Sequence, residues 1–154
     1  MIADSKPVFN NCRSYKIYST KDENINVPLI QQGLVNGDPD MDAIYRLTRK
    51  NTANLNINFD MNAPALVLRK NQYAPINSQN TFYHYDSFFT LIFPLNVTFR
   101  ECDILRGYIA IRLLQEINGR VSFMVPNAVQ IRNAHSYHKD YLEEKKYLFK
   151  ILFI

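Results

Sequence analysis

The sequence predicts a mixed fold, α/β or α+β, because short strand-like and helical segments alternate along its 154 residues. Hydrophobic residues make up 47% and aromatic residues 13% of the chain, which is enough for one core of ordinary size. The sequence contains no internal repeat and no glycine-rich βαβ nucleotide-binding unit. We therefore treat residues 1–154 as a single domain.

The elements follow from local residue patterns. RECDILRGYIAIRLLQEINGR, residues 100–120, predicts a helix with apolar residues on most of its circumference, and Asn118-Gly119 is a typical C-terminal stop. RVSFMVP predicts a strand that is cut by Pro126. The remaining segments are a strand at 13–20, an apolar segment at 27–35, an Asn-rich connector at 51–62, a strand at 64–70, a turn-rich segment at 73–81, an aromatic mixture of short helix or strand at 82–95, and a charged, exposed tail after 128.

Charge and hydropathy exclude some partners. The net charge is +4, from 18 Lys and Arg against 14 Asp and Glu, and the charges are interspersed. The aromatic residues lie in apolar runs without interleaved Lys and Arg, so a nucleic-acid partner is not expected. No apolar run approaches the roughly 18 residues of a membrane span, and we expect no membrane segment in this chain. Cys12 and Cys102 form no C-x-x-C pair and can be bridged or free.

Acidic residues cluster in NGDPDMDAIYRL. Asp38, Asp40 and Asp42 have the alternate spacing of a cation-binding loop, but an EF-hand would need Gly where Ala43 stands. The alternative, which we favour, makes Asp38 a helix N-cap, with proline at the first helical position and Asp40 facing the positive end of the helix dipole.

The helix at 100–120 begins with acids and arginines. Glu101 and Asp103 can simply stabilise the positive end of the helix dipole, which is the commoner case. A carboxylate at the mouth of a buried helix can also act as a general base. His135 and His138 are spaced to share a helix face and could ligate one metal, although such a pair is more often structural. His84, inside FYHYD, is expected to pack among aromatic side chains.

Four stretches of the sequence resemble the STELLO-type glycosyltransferases, a family of Golgi proteins. They are VPLIQQGLVNGDPDMDAIYRLTR, YAPINSQNTFYHYDSFFTLIFPL, RECDILRGYIAIRLLQEINGRVSF and RNAHSYHKD, which together extend from about Val27 to Tyr141. The order of features is more distantly similar to the reversibly glycosylated polypeptides, the UDP-arabinopyranose mutases, which have a GT-A-type fold. The resemblance implies the C-terminal, acceptor-side portion of a GT-A-like α/β domain, a mixed sheet with flanking helices, that transfers sugar from a nucleotide sugar, UDP-linked, to a hydroxyl acceptor.

The resemblance also implies roles for individual residues. Asp103 is the candidate base that removes the proton from the attacking hydroxyl, with Glu101 second. His135, in the word RNAH, is the candidate ligand of a divalent metal, manganese or magnesium. The substrate-binding candidates that it implies are Asp40, Asp42, Asn80 and Arg100, and Arg106, from the charged start of the helix, is a further candidate.

Two departures from the family pattern affect these expectations. Cys102 stands where related enzymes often carry another acid. The nucleotide-binding N-terminal half and the membrane anchor of the relatives are not found in this sequence, so we expect a partial domain.

Residence in the Golgi lumen is expected from the resemblance alone. The alternative function is a non-catalytic scaffolding or binding module derived from a transferase fold.

Overall fold

The computed structural model describes residues 8–10, 13–15, 28–41, 43–48, 56–131 and 136–151. Within these ranges, no helix is both long and apolar enough to cross a membrane. The elements are β1 (Val8–Asn10), β2 (Arg13–Tyr15), β3 (Ile30–Gly37), α1 (Ala43–Leu47), β4 (Leu66–Val67), β5 (Thr81–Tyr83), a 3₁₀ helix (Tyr85–Thr90), α2 (Phe99–Glu116), β6 (Val121–Gln130) and α3 (Tyr137–Ile151).

A mixed four-stranded sheet organises the chain, in the order β4-β6-β3-β5. The two central strands, β3 and β6, are parallel, while β5 pairs antiparallel with β3 and β4 pairs antiparallel with β6. β1 and β2 form a separate antiparallel pair. The predicted α/β class and mixed sheet are therefore confirmed. The aromatic segment at 82–95 is also the predicted mixture, because it supplies the end of β5 and the 3₁₀ helix.

The core lies between the sheet and α2. Ile30 and Val121, from the two central strands, cluster with Ala110, Ile111 and Leu114 of α2, and all five side chains are at most 2% exposed. Parallel strands and a long helix can bury this many branched side chains because each element contributes one apolar face. The core thus fixes α2 across β3 and β6.

β6 passes through Pro126 without ending there. The strand continues to Gln130, so the prediction that proline cuts it was wrong. The pairing of Gly33 with Met124 is followed by that of Val35 with Ala128, so three residues of β6 oppose one residue of β3. Pro126 lies in this bulge, where the missing N–H costs no ladder hydrogen bond.

α1 begins later than the sequence predicted. Its first residue is Ala43, so Asp38 is not the N-cap of this helix. Asp38 follows β3 and pairs instead with Arg46, whose Nη1 lies 2.7 Å from Asp38 Oδ1. Arg46 is 1% exposed and also donates to the Pro39 carbonyl at 2.6 Å. The aspartate therefore neutralises a buried arginine, an interaction that a local pattern does not reveal.

α3 is not the exposed tail that its charges suggested. Asp140 is 9% and Glu144 2% exposed. Glu144 Oε2 accepts a hydrogen bond from the backbone N–H of Ala43 at 2.8 Å, and its Oε1 accepts one from Arg100 Nε at 2.6 Å. One carboxylate therefore ties α1, α2 and α3 together.

α2 approaches the segment before β5 closely at Gly107. A Cβ at this position would overlap the carbonyl oxygen of Ile76. At its other end, the helix stops as predicted: Asn118 has φ 55°, and the Gly119 N–H donates to the Leu114 carbonyl at 2.8 Å.

Gly107→Ala is expected to destabilise the protein by about 1 to 3 kcal/mol, because the clash with Ile76 outweighs the higher helix propensity of alanine. Urea denaturation followed by circular dichroism measures the change. Arg112→Ala, at an exposed position of the same helix, is the control and should shift the free energy of unfolding by about 0.5 kcal/mol or less. An unchanged or higher stability of the Gly107→Ala protein would contradict the packing described here.

Glu144→Gln is expected to lower the free energy of unfolding by about 2 kcal/mol or more, because Arg100 loses the closer of its two carboxylate partners and the buried partner is the one removed. Glu143→Gln makes the same change of charge at the neighbouring position of α3 and serves as the matched control. Equal stability losses in the two variants, measured by thermal and urea unfolding, would argue against a special role for Glu144.

Candidate functional site

The start of α2 is held by a capping box. Thr98 Oγ1 accepts a hydrogen bond from the Glu101 backbone N–H at 3.2 Å, and Glu101 Oε2 accepts one from the Thr98 backbone N–H at 2.9 Å. Glu101 is 7% exposed. Because the carboxylate satisfies a backbone donor at the helix end, its geometry supports the stabilising role more than proton transfer.

Asp103 is the acidic side chain of this helix start that reaches solvent, with 31% of its side chain exposed. Its Oδ1 accepts hydrogen bonds from Ser78 Oγ at 3.3 Å and from Arg106 Nη2 at 2.9 Å. No described residue donates to Oδ2. The carboxylate is thus oriented through Oδ1.

Arg106 orients Asp103 from the next turn of the helix. Its side chain is 9% exposed, and its guanidinium lies 5.1 Å from the centroid of the Phe93 ring, within the range of a cation–π contact. The arginine is therefore held from two sides, by an aromatic face and by a carboxylate.

Tyr83, at the end of β5, brings a hydroxyl to the same place. Burial raises the pKa of Tyr83, and the charge of Asp103 adds to this effect, while the charge of Arg106 and the hydrogen bond with Ser78 oppose it. The phenol is therefore neutral near pH 7 and can donate a hydrogen bond. Ser78 links it to Asp103.

Arg100, one turn before Asp103, forms ion pairs with Asp140 and Glu144 of α3. Its Nε lies 2.6 Å from Glu144 Oε1, and its Nη1 lies 3.4 Å from Asp140 Oδ1. Burial alone would lower the pKa of this guanidinium, but the hydrogen bond and charge of Glu144, with the charges of Asp140 and Asp40, outweigh burial and raise it. Arg100 is therefore a permanent cation at the start of α2.

The turn before β5 joins Asp40 to Asp103. The Asp40 backbone N–H donates to Gln79 Oε1 at 3.3 Å, and the adjacent Ser78 donates to Asp103. Asp40 also lies near enough to Arg100 to raise its pKa. The structure thus brings together Asp40, Arg100, Asp103 and Arg106, four of the residues that the sequence singled out.

Asn80 fixes this turn to the sheet. Its Nδ2 donates to Asn127 Oδ1 at 2.6 Å, in the bulge of β6, and its carbonyl accepts from the Gly33 N–H at 2.7 Å. A Cβ on Gly33 would overlap the Asn80 amide, so glycine lets the turn lie directly on β3. Asn80 therefore supports the site through its contacts with the strands.

Several predicted residues do not enter this cluster. Asp42, His135 and Cys12 lie outside the described residues. His138 is exposed, and Cys102 is buried with a free thiol. His84 contacts the ring of Tyr85 at 4.6 Å but caps the 3₁₀ helix at the surface, where its Nδ1 accepts a hydrogen bond from the Asp86 N–H.

Five residues of the cluster escaped sequence reasoning: Ser78, Tyr83, Phe93, Asp140 and Glu144. The i,i+4 spacing of Asp140 and Glu144 places them on one helix face, which is a usable signal for a shared partner. Ser78, Tyr83 and Phe93 carry no such signal, because only the tertiary fold brings the segment at 78–93 against α2.

Comparison with known proteins finds one family model and two plant proteins that are similar to this chain. Residues 100–149 match the family model described as STELLO glycosyltransferases. Probable glycosyltransferase STELLO1 of Arabidopsis thaliana is 39% identical over 117 residues, which cover 75% of this chain and 15% of that protein. Probable glycosyltransferase STELLO2 of the same plant is 38% identical over 109 residues, which cover 70% of this chain and 14% of that protein.

The matched part of the chain spans only 14 to 15% of the length of these relatives. The family match begins at Arg100 and contains Asp103 and Arg106, so the start of α2 lies inside it. The resemblance inferred from the sequence is confirmed, since 70 to 75% of the chain is similar to STELLO1 and STELLO2 and residues 100–149 match the family model.

Proposed function

We propose that this chain forms the acceptor-side part of a GT-A-type glycosyltransferase, in which Asp103 is the general base. The observation that carries the proposal is the placement of Asp103, which is partly exposed and oriented through Oδ1 alone by Ser78 and Arg106. Its position within the segment that matches the STELLO glycosyltransferases supports a transferase role.

In the proposed inverting reaction, an acceptor hydroxyl attacks the anomeric carbon of a UDP-linked sugar. A bond forms between the acceptor oxygen and that carbon, while the bond from the carbon to the diphosphate oxygen breaks and UDP leaves with the electron pair. Asp103 Oδ2 takes the hydroxyl proton. Arg106 holds the carboxylate through its Oδ1, and Tyr83 contributes through its hydrogen bond with Ser78, which donates to the same oxygen.

The described residues do not by themselves fit a divalent metal. They contain no group of three or more His, Cys, Asp or Glu side chains placed to hold one. Arg100 lies between Asp140 and Glu144, and a cation there would meet its positive charge. A metal bound through His135, which lies outside the described residues, is proposed from the resemblance only, and the steps above do not depend on it.

The resemblance to Golgi proteins extends the proposal to a site of action in the Golgi lumen. Fluorescence microscopy of the tagged protein tests the location independently of the chemistry.

Asp103→Asn is expected to lower kcat for sugar transfer by about 100-fold or more with little change in KM, because asparagine keeps the shape but cannot accept the proton. The assay measures UDP release from a panel of UDP-sugars, with a mixture of glycan acceptors and mass spectrometry of the products. Asp60→Asn, an exposed aspartate whose Oδ1 accepts from the Asn62 N–H, is the matched control and should retain full activity.

Two results would overturn parts of this proposal. Retained activity in the Asp103→Asn enzyme would exclude this residue as the base. Absence of both turnover and UDP binding by calorimetry, with and without manganese, in a longer protein that joins this chain to a nucleotide-binding half would exclude the transferase and leave the non-catalytic binding module.

A further inference from the structure

The 3₁₀ helix packs with its polar side inward. Ser87 and Thr90 are 0% exposed, whereas Phe88 is 57% and Phe89 46% exposed. Ser87 Oγ lies 3.1 Å from the Leu29 carbonyl and 2.6 Å from the His84 carbonyl, and Thr90 Oγ1 donates to the Ser87 carbonyl at 2.7 Å. The buried hydroxyls are therefore satisfied by backbone carbonyls, and this orientation is stable although it turns the phenylalanines outward.

The chain that follows extends the same surface. Leu91 is 38%, Ile92 42%, Phe93 62% and Leu95 93% exposed. We call these four residues, together with Phe88 and Phe89, the apolar surface. Scattered exposed apolar residues are common, but here six of the eight consecutive residues from Phe88 to Leu95 are exposed and apolar.

The size of the apolar surface suits a protein interface. Taking about 150 to 250 Å² for a fully exposed side chain of this kind, the six residues present roughly 500 to 850 Å². The largest patch on an ordinary monomer is about 300 to 600 Å². Two such surfaces in contact would bury roughly 1,000 to 1,700 Å², which overlaps the range of specific, stable interfaces.

The chemistry of the surface favours a second copy of this chain as its partner. Residues 87–99 contain no charged side chain, so two copies meet without repulsion between like charges. In a dimer with twofold symmetry both copies use the same surface patch, so the patch has to complement only itself. A lipid surface, by contrast, is typically approached through apolar side chains flanked by free Lys or Arg, whereas Arg100, the nearest cation along the chain, pairs with Glu144.

We propose that the apolar surface, Phe88 to Leu95, is the interface of a twofold homodimer. Analytical ultracentrifugation of the 154-residue chain tests this over roughly 1 to 100 µM, a range that brackets micromolar dissociation constants. The wild-type chain is expected to dimerise within that range.

The double variant Phe88→Glu, Leu95→Glu is expected to raise the dissociation constant at least about tenfold, because each glutamate would be desolvated at the interface without a partner. Val129→Glu with Ile131→Glu is the matched control. These residues are 73% and 93% exposed and lie outside the apolar surface, so the control should dimerise like the wild-type chain.

Circular dichroism of both double variants excludes unfolding as the cause, and Leu95→Glu alone gives a second variant at a position so exposed that it has almost no packing to lose. A monomeric wild-type chain would overturn the proposal. So would equal dimerisation of all variants, or a monomer that co-sediments with anionic lipid vesicles through the same six residues.

Discussion

The ion pair between the partly exposed Arg100 and the buried Glu144 is the interaction on which the arrangement of the helices depends. The core fixes α2 on the sheet, α3 meets α2 through Arg100, and α1 is joined to α3 through the Ala43 N–H. Glu144 uses one oxygen for Arg100 and the other for the first N–H of α1. A buried carboxylate is expensive to desolvate, and Glu144 persists because both of its oxygens are hydrogen-bonded. Losing Arg100 leaves Glu144 without its cation, whereas losing Glu144 leaves Arg100 with Asp140 alone, and either change weakens the support that α3 gives to the start of α2.

A second set of polar contacts positions the other side of the site. Gln32, 7% exposed in the central strand β3, exchanges hydrogen bonds with Asn77, whose N–H donates at 3.0 Å and whose Oδ1 accepts at 3.2 Å. Thr81 Oγ1 also donates to Gln32 at 3.0 Å. Together with the contacts of Asn80, these bonds anchor the turn that carries Ser78. The orientation of Asp103 therefore depends on amide side chains in the sheet as well as on its own helix.

The sequence predicts features that depend on neighbouring residues, but it does not predict features that depend on contacts between distant segments. The extent of α2 and its stop at Asn118-Gly119 followed from periodicity and turn residues, and the mixed sheet was expected from the family resemblance. The boundary of α1 was wrong because Asp38 has the composition of a cap, yet its partner Arg46 is buried by tertiary packing. Pro126 is an ordinary strand breaker whose position in a bulge depends on the register with β3.

The charged residues of α3 also show that burial depends on contacts between distant segments. Their composition is that of a solvated helix face, but Glu144 is buried because Arg100 approaches from another helix. Of the site, Asp40, Arg100, Asp103 and Arg106 were named from the sequence through a family resemblance. Tyr83 and Ser78 required the fold.

The proposed interface and the proposed site share one contact. Phe93 belongs to the apolar surface and lies over the guanidinium of Arg106, which in turn holds Asp103. Covering Phe93 with a second copy would exclude water from the outer side of Arg106, and an ion pair is strengthened when the surrounding dielectric falls. Dimerisation would then hold the Asp103 carboxylate more firmly without a new contact to it. Because the side-chain partners of Asp103 and Arg106 are Ser78, Phe93 and each other, replacing Phe88 and Leu95 separates loss of the dimer from loss of the carboxylate itself.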